Sequence, residues 1–302
     1  MKKIILVAGA TGNLGLRIVK NLLRSDVEIR VLVRTTSGID KTKQLKQLGV
    51  KIYTIDSWCA EELITPCRDV TCVVSALAGL RDVIIDAQKI LLDAAIAAGV
   101  KRFIPSDYSL DFTKFSPGEN RNLDLRREFH TYLDSTSIAA TSIFNGAFTE
   151  LLINEMPMIF YRQKMVLYYG NADFKWGFTT IDNTAEFTAK VATETSSPRY
   201  LRIAGDLISP REIKVAASEV TAKKFRFVRA GGKNLLGLII KLTRKFAPAE
   251  NELYPAWQGM QYMHNMIDER AIIHELNNDL YPEIKWQKVK DVLLQHHHEQ
   301  TS

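Results

Sequence analysis

Residues 7–15 read Val-Ala-Gly-Ala-Thr-Gly-Asn-Leu-Gly and lie between an apolar run, Lys3-Ile4-Ile5-Leu6, and an amphipathic helical pattern over residues 16–23. Strand, glycine turn and helix in that order build a dinucleotide pyrophosphate site and leave few other folds open. Gly9 is free to take the positive φ of a tight turn. Gly12 lets backbone amides approach the phosphates, and Gly15 lets the helix lie close to the strand. The amides of Thr11, Asn13 and Leu14 then stand at the start of a helix, where an anion is favoured. The spacing, GxxGxxG, is one residue wider at its first gap than the dehydrogenase fingerprint.

The next strand, residues 27–34, ends at Arg34. A carboxylate there would bind the ribose hydroxyls and repel a 2′-phosphate; an arginine does the reverse. Thr35, Thr36 and Ser37 add hydroxyls, and Lys41 and Lys43 follow on a short helix. One charge-assisted bond is worth about 1.5 to 3 kcal/mol, so the sequence leans toward NADP over NAD, with Arg34 and Lys43 on the 2′-phosphate.

The alternation continues through a helix over 40–48, a strand over 50–56 and a short helix over 59–66. Asp56 and Ser57 close that third strand where an adenine ring is expected. A nearly continuous apolar strand over 70–77 ends at Ser75, Ala76 and Leu77, and a long apolar-striped helix spans 82–99. A fifth strand, 101–105, leads to Ser106, Asp107 and Tyr108. A loop over 109–120, a charged helix over 123–133 and a sixth strand over 138–144 follow. Crossovers this short imply helices between parallel strands, hence an α/β, Rossmann-type doubly wound sheet. Ligands bind such sheets at the carboxyl ends of the strands, which assigns Gly9, Arg34, Ser75, Ala76 and Ser106 to one crevice.

Past residue 150 the alternation weakens. Strands over 164–169 and 176–181, a helix over 182–193 and a capped helix start at Ser209-Pro210-Arg211-Glu212 belong to a smaller α+β lobe. The reading is a cofactor domain over 1–150, an interleaved substrate lobe over 151–290 and a polar, disordered tail over 291–302. That tail carries His296, His297 and His298, a possible metal set or a truncated tag, read as neither; no metal site is expected. Residues 235–246, apolar and basic, are read as a helix lining a pocket of the small lobe in preference to lying on a membrane.

With 302 residues, 46% of them apolar, the chain can bury a large core. Its 40 basic and 34 acidic residues are interspersed, unlike a nucleic-acid arm. Cys59, Cys67 and Cys72 have neither CxxC nor zinc spacing and read as reduced thiols. No apolar stretch reaches the roughly 18 residues of a membrane span, so a cytoplasmic location is the default.

GATGNLG, VLVR at the end of the second strand and DAAIAAGVKRFIPSDY together resemble the NmrA-like and isoflavone-reductase-like proteins, an atypical branch of the short-chain dehydrogenases/reductases. The likeness runs from Met1 to about Leu280. It implies NADP(H) or NAD(H) in the first domain, Arg34 and Lys43 on the 2′-phosphate, and a small-molecule substrate between the lobes. Family members include reductases of phenylpropanoid compounds and a fungal redox sensor without known turnover. This chain departs from the pattern in two ways. No tyrosine has a lysine four residues later in a usable position, and the lysine that isoflavone reductases carry on the helix after the fifth strand falls on Arg126. Arginine can orient a carbonyl or carboxylate but cannot trade a proton near neutrality.

Tyr108, Asp107 and His130 remain as candidate proton carriers. Tyr108 also suits the flank of a substrate pocket, and a lone histidine on a charged helix is more often a surface or structural residue. Phe148, Trp176, Phe178, Tyr254, Trp257 and Tyr262 suggest an aromatic or quinone-like acceptor, unless they are core. The expectation is therefore an NADPH-dependent reductase in which Arg126 and Tyr108 position the acceptor. The alternative is a non-catalytic NADP(H) sensor acting through a protein partner; an epimerase or dehydratase is disfavoured by the missing tyrosine and lysine pair.

Overall fold

The computed structural model describes residues 2–301. The chain divides into two compact units whose segments interleave. The first comprises residues 1–108, 125–143 and 184–201; the second comprises 109–124, 144–183 and 202–302.

The first unit is built on six strands, β1 (Lys3–Ala8), β2 (Val27–Arg34), β3 (Lys51–Ile55), β4 (Cys72–Ser75), β5 (Arg102–Ile104) and β6 (Ala139–Ala140). They pair in parallel in the order β3-β2-β1-β4-β5-β6. This is the doubly wound, Rossmann-type sheet, reversing direction between β1 and β4. The crossovers carry α1 (Asn13–Leu22), α2 (Ile39–Gln47), α3 (Ala60–Cys67), α4 (Gln88–Ala97) and α5 (Arg121–Leu133). The single helix expected over 82–99 enters through a π-helical stretch, Asp82–Ala87, before becoming α-helical. Leu6, Val73, Leu91, Leu92, Phe103, Phe129 and Leu133 are among the residues of one apolar core. Burying each such side chain contributes about 1.5 to 3 kcal/mol.

Arg102 is buried within this unit because helix Ile181–Thr193 ends on it. Its Nη1 donates to the carbonyls of Val191 at 2.9 Å and Glu194 at 2.8 Å, and Nη2 donates to Ser197 Oγ. A guanidinium thus satisfies carbonyls that a helix C-terminus leaves without partners, at the negative end of its dipole.

In the second unit, strand Met165–Tyr169 pairs in parallel with Arg226–Gly231 and antiparallel with Ile159–Phe160. Strand Trp176–Thr179 lies between Asp206–Ile208 and Ala147–Phe148. Helix Pro210–Thr221 starts with the expected reciprocal cap between Ser209 and Glu212. Two readings are corrected here. The expected disordered tail is a helix, Val289–Thr301, because Val289, Val292 and Leu293 at spacings of three and four bury one stripe in the core. His296 packs its ring against Tyr161. In helix Lys233–Phe246, Leu236 and Ile240 are buried while Leu235, Leu238, Leu242 and Phe246 face outward, so the helix lines no pocket with that broader stripe.

Candidate functional site

The glycine turn connects β1 to α1 in the first unit. Gly9 adopts φ +82°, a backbone that side chains rarely enter, and a Cβ there would lie 2.4 Å from the carbonyl oxygen of Ala76. A Cβ on Gly15 would lie 2.2 Å from the Gly9 carbonyl oxygen. The Gly12 amide donates to that same oxygen at 2.9 Å, closing the turn. Among the described residues no side chain caps the start of α1. Asn13 accepts instead from Arg17 Nε at 2.9 Å, which holds its side chain along the helix. Thr11, Asn13 and Leu14 are half-buried or exposed around the turn. The result is a tight backbone turn, closed to a Cβ at Gly9 or Gly15, that leads into the positive end of a helix.

Arg34, the last residue of β2, is exposed, and the amide of Ser37 turns back to its carbonyl at 2.8 Å. Lys43 is exposed on α2. Asp56 follows β3, its amide donating to Glu62 at 2.7 Å and its side chain facing solvent. At the end of β4, Ser75 is fully buried and its Oγ has no hydrogen-bond partner among the described residues, while the Ala76 amide donates to Ala8 at 2.9 Å. Ser106 ties the next loop down: its Oγ donates to the Leu77 carbonyl at 2.6 Å, and its amide donates to the side chain of buried Gln88 at 3.0 Å. Gln88 in turn donates to Ile84 at 2.9 Å. It was missed in the sequence, although one amide inside an apolar stripe was a signal.

The Ser106 carbonyl accepts from Arg126 Nε at 3.0 Å, so the half-buried guanidinium is oriented by the strand-end loop. Tyr108 is buried, and desolvation pushes its phenol well above its ordinary range. His130 is also buried. Its Nε2 lies 2.6 Å from Asp107 Oδ2 and 3.3 Å from Ser142 Oγ, and its Nδ1 lies 3.3 Å from Arg199 Nη2. A guanidinium only donates, so Nδ1 accepts and Nε2 carries the hydrogen directed at Asp107. Arg199 also binds Ser142 at 2.7 Å and Asp134 at 2.8 Å, and Tyr200 stacks on the imidazole. Burial alone would raise the Asp107 carboxyl; His130 and Ser142 outweigh it and hold that carboxyl below its usual range. His130 is therefore an interior member of a closed polar cluster. Arg199, 69 residues away, had no sequence signal.

The one Tyr-x-x-x-Lys of the chain, Tyr281 and Lys285, lies in the second unit outside any α-helix, where a four-residue spacing does not align the two side chains.

The second unit contains a small, partly open cavity. Its apolar walls are Leu110, Phe144, Met266 and Ile273, and its polar lining is Asp111, Lys114, Trp176 and Arg202. Of the six aromatic residues singled out in the sequence, Trp176 alone lines it. Phe178 and Trp257 are core, the latter held by its indole donating to Pro248 at 2.6 Å and by Arg121 and Arg244 over its ring. Tyr254 is exposed.

Residues 1–291 match the model of the NmrA-like family. Pinoresinol reductase 2 of Arabidopsis thaliana is 25% identical over 96% of this chain and 95% of its own. Pinoresinol reductase 1 of the same plant is 27% identical over the same shares. A solved complex of AtPrR2 with NADP+ and (+)-pinoresinol superposes with a TM-score of 0.81 at 25% identity, covering 98% of this chain and 99% of that one.

Proposed function

The chain belongs to the NmrA-like family, and from that premise we propose that it is an NADP(H)-dependent reductase of a small aromatic or quinone-like acceptor. The observation that carries this reading is the glycine turn at Gly9, Gly12 and Gly15, packed so closely on neighbouring backbone that a Cβ at Gly9 or Gly15 would clash. The turn and the first amides of α1 hold the pyrophosphate, Arg34 and Lys43 the 2′-phosphate, and Asp56 lies along the adenine. The buried Ser75 hydroxyl, Ala76 and Ser106 line the nicotinamide half. The NADP+ in the solved complex of the similar pinoresinol reductase supports NADP over NAD. When bound, the cofactor supplies a hydride.

The protein's own contribution is positioning. Arg126, steadied by the Ser106 carbonyl, presents a fixed positive charge to an acceptor oxygen and gives up no proton. An acceptor of the quinone type takes its protons from water.

A second reading, a non-catalytic NADP(H) sensor with a protein partner, is favoured by one observation. The candidate proton carriers are a buried phenol, a buried carboxylate and a histidine enclosed in a polar cluster, and the position of the family's lysine holds an arginine. One pair of measurements decides. Calorimetric titration is expected to give tighter binding of NADPH than of NADH, and NADPH oxidation is expected with at least one member of a quinone and enone panel. Tight NADPH binding with no turnover across the panel leaves the sensor, and failure to bind either nucleotide removes both.

A further inference from the structure

Residues 220–249 carry eight basic side chains and no acidic one, in a chain where 34 of 302 residues, about one in nine, are acids. The second half of that stretch is helix Lys233–Phe246. Its inner side buries Leu236 and Ile240. On its outer side Leu235, Leu238, Leu242 and Phe246 follow one another at spacings of three and four and so form a single stripe, with Leu238 53% and Phe246 77% exposed. Lys241 and Lys245 each come three residues after a leucine of the stripe and border it along one side.

The other two cations of the helix are committed: Lys233 donates to Asp268, and Arg244 Nε donates to Glu250 at 2.8 Å. Lys241 and Lys245 are exposed and have no acidic partner among the described residues, and the Lys245 ammonium lies 5.7 Å from the centroid of the Phe246 ring. The acids that follow the helix are Glu250, already paired with Arg244, and Glu252.

A row of exposed apolar side chains beside unpaired cations marks an interaction surface, and its occupant has to meet both. A second copy of the chain fits poorly. Its own helix brings the same lysines and no acid, and the stripe is about 17 Å long on a helix about 10 Å across, a face far smaller than the roughly 800 Å² each partner of a stable dimer buries. An anionic lipid surface supplies both requirements. A convex helix face enters lipid without needing a matching groove, and lysine stems lie along the apolar boundary while their ammoniums reach headgroup phosphates.

We propose that helix Lys233–Phe246 docks this protein on an anionic lipid surface, lying in its plane with Leu235, Leu238, Leu242 and Phe246 inserted and Lys241 and Lys245 on lipid phosphates. No helix among the described residues is long and apolar enough to cross a membrane, so the contact is peripheral. The inference stands apart from the reductase reading.

The full-length protein is floated with vesicles of phosphatidylcholine alone and with vesicles containing about 30% phosphatidylglycerol. Binding to the anionic vesicles is expected to be about tenfold or more tighter than to the neutral ones, and to weaken several-fold in high salt. Leu238→Ser with Leu242→Ser, and separately Lys241→Gln with Lys245→Gln, are each expected to weaken it about tenfold or more. Lys20→Gln with Lys101→Gln removes the same net charge from exposed sites elsewhere and is expected to stay within about threefold of the parent. Thermal melting checks that every variant is folded. Equal binding to both vesicle types, no binding at millimolar lipid, or equal loss in the two lysine pairs overturns the proposal. A dimer in sedimentation that the leucine pair abolishes gives the stripe to a second copy, and binding of poly-glutamate without vesicle binding gives it to an acidic protein; either result overturns it as well.

Discussion

Gly15→Ala tests the cofactor cradle by adding one methyl group where the backbone itself blocks it. The φ of Gly15 lies outside the left-handed region, so alanine brings no dihedral strain and the whole effect is steric. The new Cβ would sit 2.2 Å from the Gly9 oxygen, 2.7 Å from the Gly9 carbonyl carbon and 3.0 Å from the Ala10 Cα. Ordinary contact needs about 3.4 Å or more, so helix and turn must separate by about 1 Å. Neither is a flexible side chain that can swing away. Overpacking of this kind costs about 1 to 3 kcal/mol, which for a chain of this size lowers the melting temperature by roughly 2 to 10 °C. Binding suffers separately, because the same shift moves the Gly12 amide and the first amides of α1 relative to one another. Losing one or two charge-assisted bonds raises the Kd for NADPH about 10- to 1000-fold. Gly49→Ala is the control. Gly49 has φ +71° and open space around its Cβ, so that substitution costs about 1 kcal/mol of backbone strain and leaves NADPH affinity unchanged. Calorimetric titration and thermal melting of both variants make the comparison. A folded Gly15→Ala protein that binds NADPH like the parent would refute the assignment of the turn to the pyrophosphate.

Arg34→Ser is expected to raise the Kd for NADPH about tenfold or more and to leave NADH within about twofold, read by titrating both nucleotides. His130→Ala takes the 2.6 Å partner from the buried Asp107 carboxylate, so denaturant unfolding is expected to show a loss of about 3 kcal/mol; a loss under 1 kcal/mol would mean that the His130 bond does not hold the cluster together. Asp107 and Asp268 titrate below their usual range, Asp268 because Arg270 and Lys233 donate to it. A depressed acid stabilises the fold above its ordinary value of 3.8, and that contribution fades as the pH falls further. Urea midpoints are thus expected to be level from pH 7 to 5 and to drop below pH 4, with a smaller drop in Asp268→Asn. Burial pushes the Cys67 and Cys72 thiols up to about 12, so a thiol reagent at pH 8 is expected to label Cys59 alone in the folded protein and all three cysteines in denaturant.

What could be read from the sequence was what short-range periodicity encodes. The strand, glycine turn and helix at residues 3–22 span one continuous stretch, and each later βα unit repeats the same local pattern, so sheet class and the place of the glycine turn both follow from neighbours in the chain. The tail was misread for a local reason too: His, Gln and Glu over 295–300 mask a stripe set by Val289, Val292 and Leu293. The cavity lay beyond such reasoning. Its lining comes from residues 110–114, 144–146, 176–177, 202 and 266–273, and no one of these segments carries a pattern of its own. His130 shows the same limit, since Arg199 and Ser142 decide whether its ring is a surface base or an interior bond, and neither is near it in sequence.

Arg126 combines both levels. Its place on the helix after the fifth strand was legible, and its bond to the Ser106 carbonyl was not. That bond fixes what the residue can contribute. A guanidinium at this position, on the reductase reading, offers an acceptor oxygen charge without a proton. On the reductase reading, compounds whose reduced form needs a proton from the protein should be poor acceptors, and those that take it from water should be good ones. Arg126→Lys then becomes informative in a direction opposite to ordinary loss of function. A lysine there restores a group able to exchange a proton, so turnover of proton-demanding enones should rise relative to quinones while NADPH affinity stays the same. A fall in both acceptor classes alike would show that the guanidinium's fixed geometry, and not its inability to give up a proton, is what the position requires.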